Sequence, residues 1–193
     1  MNLNILRFLV SGCLAFAALS YTVTVFALTI PADRNPKYNS SINPKYNSSI
    51  NPKYNSSINL KYNSSINPKY NSSINPKYNS SINPEYNSSI NPKYNSALNP
   101  RYNASLDPTK SAWSGLYIFE VEGEIAGIAV SAKNAFLLYY TLDGDWQGYF
   151  VSNSNGGFNW FSVDGTWQGY LCDNSERGFN IFSPDGEWIG YLN

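Results

Sequence analysis

Ten acids crowd the C-terminal part of the chain, among them Glu120, Glu122, Glu124, Asp143, Asp145, Asp164, Asp185 and Glu187. Two carboxylates held roughly 5–9.5 Å apart can cleave a glycosidic bond, so a glycan-directed hydrolase is one reading. The spacing speaks against it. Asp143, Asp164 and Asp185 recur at one constant interval, each followed by glycine. Repetition in every copy is what a structural turn residue predicts, whereas a catalytic group breaks internal symmetry. Asp143-Gly144-Asp145 is similar to the start of a calcium loop but lacks the further acids of one. The chain has no histidine, which removes Ser-His-Asp and Cys-His nucleophile systems and His-ligated metal sites. Its thiols are Cys13 and Cys172, and Cys172 reads as a small buried apolar residue. The expectation is a non-enzyme with no cofactor and no metal.

Binding chemistry has better material. Trp146, Trp167 and Trp188 recur with Tyr149, Tyr170 and Tyr191, beside Gln147, Gln168 and Asn159. Such aromatics can grip sugar rings or quaternary ammonium groups. Hairpin geometry sends the tryptophans to the core, so Tyr149, Tyr170, Tyr191, Gln147 and Gln168 are the expected ligand-binding residues. A second set sits upstream in the repeated word Asn-Pro-Lys-Tyr-Asn-Ser-Ser-Ile. Its Asn-Pro-x-Tyr matches peptides taken up by strand addition, its Asn-Ser-Ser is a glycosylation acceptor pattern, and its Lys-Tyr could meet a polyanion by charge and stacking. The plainer expectation is a spacer.

Three stretches, Tyr140–Phe150, Phe161–Leu171 and Phe182–Leu192, share the pattern aromatic-x-x-Asp-Gly-x-Trp-x-Gly-Tyr, and residues 119–129 are a decayed fourth copy. Asp-Gly between aromatic-rich runs is a strong hairpin signal, because a type I′ turn needs positive φ at both central positions. The prediction is an all-β C-terminal domain of four pseudo-symmetric β-hairpins over residues 116–193. A two-residue turn would pair Ser162 with Trp167, Trp160 with Gly169 and Phe158 with Leu171, making that face the core. Gly169 would leave room for the Trp160 indole. The opposite face, with Phe161, Asn159, Gln168 and Tyr170, is mixed, and its aromatics would either pack around an axis or stay exposed. Four equivalent hairpins cannot stand alone, so they must close on one another.

Nine octapeptide copies fill residues 35–106. A proline in nearly every copy forbids a continuous helix, while Asn before Pro is a favoured helix start. The word therefore reads as a stalk of short turns, single helical turns stacked as a thin solenoid, or a disordered polar tract. Tyr38 and Ile42 would share one side if helical.

The recurring Asp-Gly-x-Trp-x-Gly-Tyr signature over residues 116–193 resembles the bacterial 4-fold β-flower domains, with Ile125 and Ile128 departing from it in the first copy. That likeness implies an all-β fold and no activity. The repeats are also similar, more loosely, to choline-binding cell-wall repeats, which grip ligand between hairpins with stacked aromatics.

Arg7 followed by an uncharged run over residues 8–30, with small Ala27 near its end, predicts a helical signal segment cleaved after Ala27; the alternative is an uncleaved inner-membrane anchor. Either places the rest outside the cytoplasm, periplasmic or extracellular. Residues 35–106 hold seven Lys and one Arg against Glu85, whereas residues 111–193 hold Lys133 and Arg177 against ten acids. A basic segment is thus joined to an acidic one. The resulting organisation is a signal over 1–27, a linker over 28–34, the repeats over 35–106, a second linker over 107–115, and the β domain. Three functions stand: a non-catalytic exported module binding an envelope polymer or protein, a glycan hydrolase, or an interaction protein recognised through its Asn-Pro-x-Tyr repeats. Nucleic acid is not an expected partner, and membrane is one only if the first segment stays.

Overall fold

The computed structural model describes residues 30–133 and 135–193. The expected signal over 1–27 and nearly all of the alternative anchor lie outside them. Among the described residues no helix is long and apolar enough to cross a membrane.

Eight antiparallel strands form a closed barrel in sequence order. They are β1 (Leu116–Glu120), β2 (Ile125–Lys133), β3 (Phe136–Tyr140), β4 (Trp146–Ser152), β5 (Phe158–Ser162), β6 (Trp167–Asp173), β7 (Phe179–Phe182) and β8 (Trp188–Leu192). The four predicted hairpins are present, and β8 pairs with β1 to close the ring, so no sheet edge is left bare.

The turns differ from the expected type. In the third hairpin Gly165 N–H donates to Ser162 O, and Ser162 N–H donates to Thr166 O. Gly165 has φ +82°, and Asp164 is not at positive φ. This is a three-residue loop, a type I turn closed by a left-handed glycine and a bulge. The other three hairpins repeat it at Gly123, Gly144 and Gly186. The extra residue shifts the register once. Phe161, not Ser162, faces Trp167, while Trp160 still faces Gly169 and Phe158 faces Leu171. Each repeat tryptophan is thereby moved off the predicted core face.

That predicted core is the barrel lumen. One apolar cluster draws side chains from all eight strands, among them Ile118, Phe150, Trp160, Leu171, Ile181 and Leu192, and takes none from the octapeptides. The glycines make the space: a Cβ on Gly169 would lie 2.3 Å from Phe182 O and 3.6 Å from the Trp160 ring. Trp160 occupies the room that Gly169 leaves, as expected.

The outer face is just as aromatic, and the octapeptides bury it. Ile90, Leu98 and Leu106 cluster with Ile128, Leu138, Tyr140 and Tyr149. Leu60 and Ile66 cluster with Tyr170, Cys172 and Phe182. The repeats form the short turns expected of them, but they do not project as a spacer or run as a disordered tract. They wrap the barrel as a belt. Asn193 donates to Arg34 O, Asn180 to Ile42 O, Asn155 to Ser57 O, Asn159 to Ile66 O and Tyr140 to Leu98 O. The belt therefore starts at β8, runs against the strand order, and delivers the chain to β1, where the Trp113 ring meets Tyr117 at 5.5 Å.

Each unit is two asparagine-capped turns. In the second unit Asn43 Oδ1 accepts from Lys45 N–H, and Asn43 Nδ2 donates back to Pro36 O. Asn47 Oδ1 accepts from Ser49 N–H and Oγ, and its Nδ2 donates back to Ser41 O. The same bonds recur along the belt, so each turn is capped and tied to the preceding unit.

Near-identical units are buried to different depths. Ile42, Ile66 and Ile90 are 0%, 1% and 3% exposed, Ile50 and Ile74 follow at 5% and 6%, and Ile58 and Ile82 are half-buried. The asparagines Asn43, Asn67 and Asn91 are buried at the same interval. Three units of the belt thus advance it past one hairpin of the barrel.

Candidate functional site: an outward ring of lysine and tyrosine

The expected ligand-binding tyrosines are not at the surface. Tyr149, Tyr170 and Tyr191 are 0%, 1% and 1% exposed. Their rings stack on Phe161, Phe182 and Phe119. Burial pushes the phenols up, Tyr191 to about 12. They form the outer wall of the barrel under the belt because four hairpins present two apolar faces and only one can enter the lumen. Gln147 is exposed and Gln168 half-buried. Gln168 makes only long contacts, 3.4 Å to Ser162 Oγ and to Thr166 O. The five residues do not converge on one site.

The buried hydroxyls close the ring of hairpins. A Cβ on Gly165 would lie 3.5 Å from the Tyr149 hydroxyl, on Gly186 3.5 Å from that of Tyr170, and on Gly123 3.8 Å from that of Tyr191. The first copy has Ile128 instead. The turn it would have reached, at Gly144, is met by Pro100 and Arg101 of the belt, and Arg101 pairs with Asp145 at 2.6 Å. A departure in the barrel is matched by a departure in the repeat.

Trp146, Trp167 and Trp188 are half-buried. Each indole N–H donates to the carbonyl two residues on, Gly148, Gly169 and Gly190, at 2.7–2.8 Å. Lys45 lies 5.8 Å over the Trp188 ring and Lys69 5.5 Å over that of Trp167. These two lysines are again three units apart.

What the belt turns outward is its tyrosines. Tyr38, Tyr46, Tyr54, Tyr62, Tyr70, Tyr78, Tyr86, Tyr94 and Tyr102 are 66–77% exposed. Splitting the unit into two turns puts Ile on the barrel side and Tyr on the solvent side, so the expected shared face does not exist. Lys precedes Tyr in seven units and Arg101 in another. Lys37, Lys53, Lys61 and Lys77 sit 5.6 Å from the ring that follows each of them. The signal was present in the sequence: one aromatic per unit, nearly always beside a cation, with a single aliphatic group to bury.

The acids do not assemble. Asp164 is exposed, and the hydroxyl of Ser162, with help from Thr166, holds its carboxyl below the usual range. Asp145 is engaged by Arg101. Among the described residues no cluster of three or more His, Cys, Asp or Glu is placed to hold a metal ion. The Asn-Ser-Ser amides are engaged at both ends, the oxygen capping its own turn and Nδ2 donating to the preceding unit. No family model matches the chain, and neither a curated protein nor a solved structure shows significant similarity to it.

Proposed function

We propose that this chain is a non-catalytic, exported binding module whose working face is the belt, and that it holds an acidic polymer of the cell envelope or extracellular matrix. One observation carries the reading: nine tyrosines stand in solvent, most with a cation beside them, while the barrel's own recurrent tyrosines are buried. Exposed aromatics at this density lower solubility, which a purely structural coat would avoid. A planar ring beside an ammonium suits a sugar face bearing a carboxylate or phosphate. The excess of Lys and Arg over acid along the repeats gives long-range attraction to such a polymer. The four-hairpin signature keeps the likeness to β-flower domains as the finer family reading, and that likeness brings no catalytic residue.

The test is retention of the purified chain on an immobilised acidic polysaccharide and on insoluble peptidoglycan. Binding should weaken with salt, because charge is part of the grip. Replacing Tyr46, Tyr70 and Tyr94 by Ser should reduce retention without changing the melting temperature. No retention on any acidic polymer at low salt would refute the reading.

A further inference from the structure

The barrel's four-fold symmetry is broken on one side of its lumen, and a cavity lies there. The upper lumen layer is built from four equivalent positions: Ile118, Tyr139, Trp160 and Ile181. They recur at the hairpin interval, and each faces the glycine row of the next strand. Tyr139 and Trp160 fill their half, ring to ring at 6.0 Å. Ile118 and Ile181 do not fill theirs. A cavity of 210 Å³ opens beside them at the end of the barrel that carries the Asp-Gly turns, with Tyr139, Trp160 and Phe150 forming its far wall.

The mouth is asymmetric in the same direction. Ala126 and Ile189 line it where the other two copies carry Gln147 and Gln168. Glu120 stands at the rim where the sister copies have Thr141, Ser162 and Ser183. The departures at the mouth, Glu120, Ala126 and Ile189, lie in the first or last hairpin, neighbours across the closing seam. A purely structural lumen has no need to concentrate its departures there.

One polar group in this wall lacks a partner. Among the described residues the buried Trp160 Nε1–H has no acceptor, whereas Trp146, Trp167 and Trp188 all donate. A buried donor left in this state destabilises the fold unless something accepts from it. The Glu120 carboxylate contributes to pushing the Tyr139 phenol up, after burial, so a negative charge is felt inside the mouth.

We infer that this cavity is a binding site for a small, uncharged, single-ring molecule carrying a carbonyl. The ring would fill the space beside Ile118 and Ile181, the carbonyl would accept from Trp160 Nε1–H, and Glu120 would exclude carboxylates of the same shape. Barrel mouths are a common location for such sites, and this volume lies below the roughly 300–1,000 Å³ of drug-sized pockets. The site does not depend on the belt's polymer.

Benzamide and benzoate are matched probes: same ring, without and with the charge. The readout is the indole N–H signals of the ¹⁵N-labelled full chain, with Trp160 assigned from Trp160→Phe. Benzamide should move the Trp160 signal and leave those of Trp146, Trp167 and Trp188 in place; benzoate should not. Ile181→Phe, which fills the cavity, and Ile189→Gln, which restores the sister residue at an exposed position, should each weaken benzamide binding about tenfold or more, near 1.4 kcal/mol. Glu120→Gln should admit benzoate. The inference is overturned if millimolar benzamide leaves Trp160 unmoved, if benzoate binds the unaltered chain equally, or if both cavity variants bind benzamide as tightly as the parent.

Discussion

Ile66 and Ile82 sit in units of almost the same sequence, yet their replacement by Ala should have unequal consequences. Ile66 is 1% exposed against Tyr170, Cys172 and Phe182, and its carbonyl is held by Asn159. Ile82 is only half-buried at the edge of the neighbouring cluster. Truncating a fully buried Ile costs about 2–5 kcal/mol in lost transfer energy and cavity; a half-buried one that relaxes into solvent should cost about 1 kcal/mol. The gap is therefore about 2 kcal/mol. With a urea slope of about 2 kcal/mol per molar, Ile66→Ala should unfold about 1 M earlier than Ile82→Ala. Urea unfolding followed by tryptophan fluorescence reads this directly. Ile42→Ala should follow Ile66, and Ile58→Ala should follow Ile82. A free stalk would show no shift for any of the four, and a belt without fixed phase would show four equal shifts. Either result refutes a belt held in fixed phase with the hairpins.

Gly169→Ala should abolish the native barrel or cost more than about 3 kcal/mol, because its Cβ would meet Phe182 O at 2.3 Å; loss of near-ultraviolet circular dichroism would show it. Arg101→Ala should lower stability by less than about 1 kcal/mol, since both members of its ion pair are more than half exposed, and a larger loss in thermal unfolding would contradict the assignment. Raising the pH should destabilise the fold above about pH 9–10, where the unfolded chain begins to release protons that the native state keeps on the Cys172 thiol, pushed up to about 12, and on the buried phenols of Tyr140, Tyr149, Tyr170 and Tyr191. The stabilisation is whole below that range and falls by about 1.4 kcal/mol per pH unit for each group in play, so flat melting temperatures across the alkaline range would argue against their burial. Deleting residues 67–74 should lower the melting temperature as much as deleting residues 35–42, since interchangeable units slide along the barrel and either deletion uncovers the same stretch at the belt's start.

The hairpins were legible because their signals are local. A glycine after Asp and an aromatic alternation fix a turn and two faces within one short stretch. The lumen face, the Trp160–Gly169 pair and the closure of four equivalents all follow from that pattern. What failed was one residue of turn length. Asp-Gly serves a three-residue loop with a bulge as readily as a two-residue one, and the difference alone moved Trp167 off the core face. The covering of the outer face was not legible for another reason. Asn159 and Tyr170 read as a mixed face because the segment that covers them is distant in the chain and looks polar when read alone; Asn159 donates to Ile66 O, and the equivalent Asn180 donates to Ile42 O, 138 residues away. One aliphatic group per unit is too little for a stalk to bury by itself, and it is enough when a ready-made aromatic wall supplies the other side.

A barrel of this length with both faces aromatic would be insoluble if it folded alone, and the octapeptides would have no core if they folded alone. Each supplies what the other lacks. The asparagines make the belt self-supporting along its length, since their amides serve as caps and backward ties, while full burial of Ile42, Ile66 and Ile90 recurs at every third unit. The belt leaves β8 at Arg34 and re-enters at Tyr117 beside the same seam, so its circuit of the barrel is complete. At three units per hairpin the nine units span three of the four hairpins, and residues 107–115 bring the chain on to β1. Repetition suits the same geometry, because each unit meets a stretch of wall equivalent to the one met by the unit three places on. The departures from the repeated word answer to the wall as well. Leu60, in place of proline, adds an aliphatic group against Tyr170 and Phe182, and Arg101 sits beside the turn that has no tyrosine to reach it.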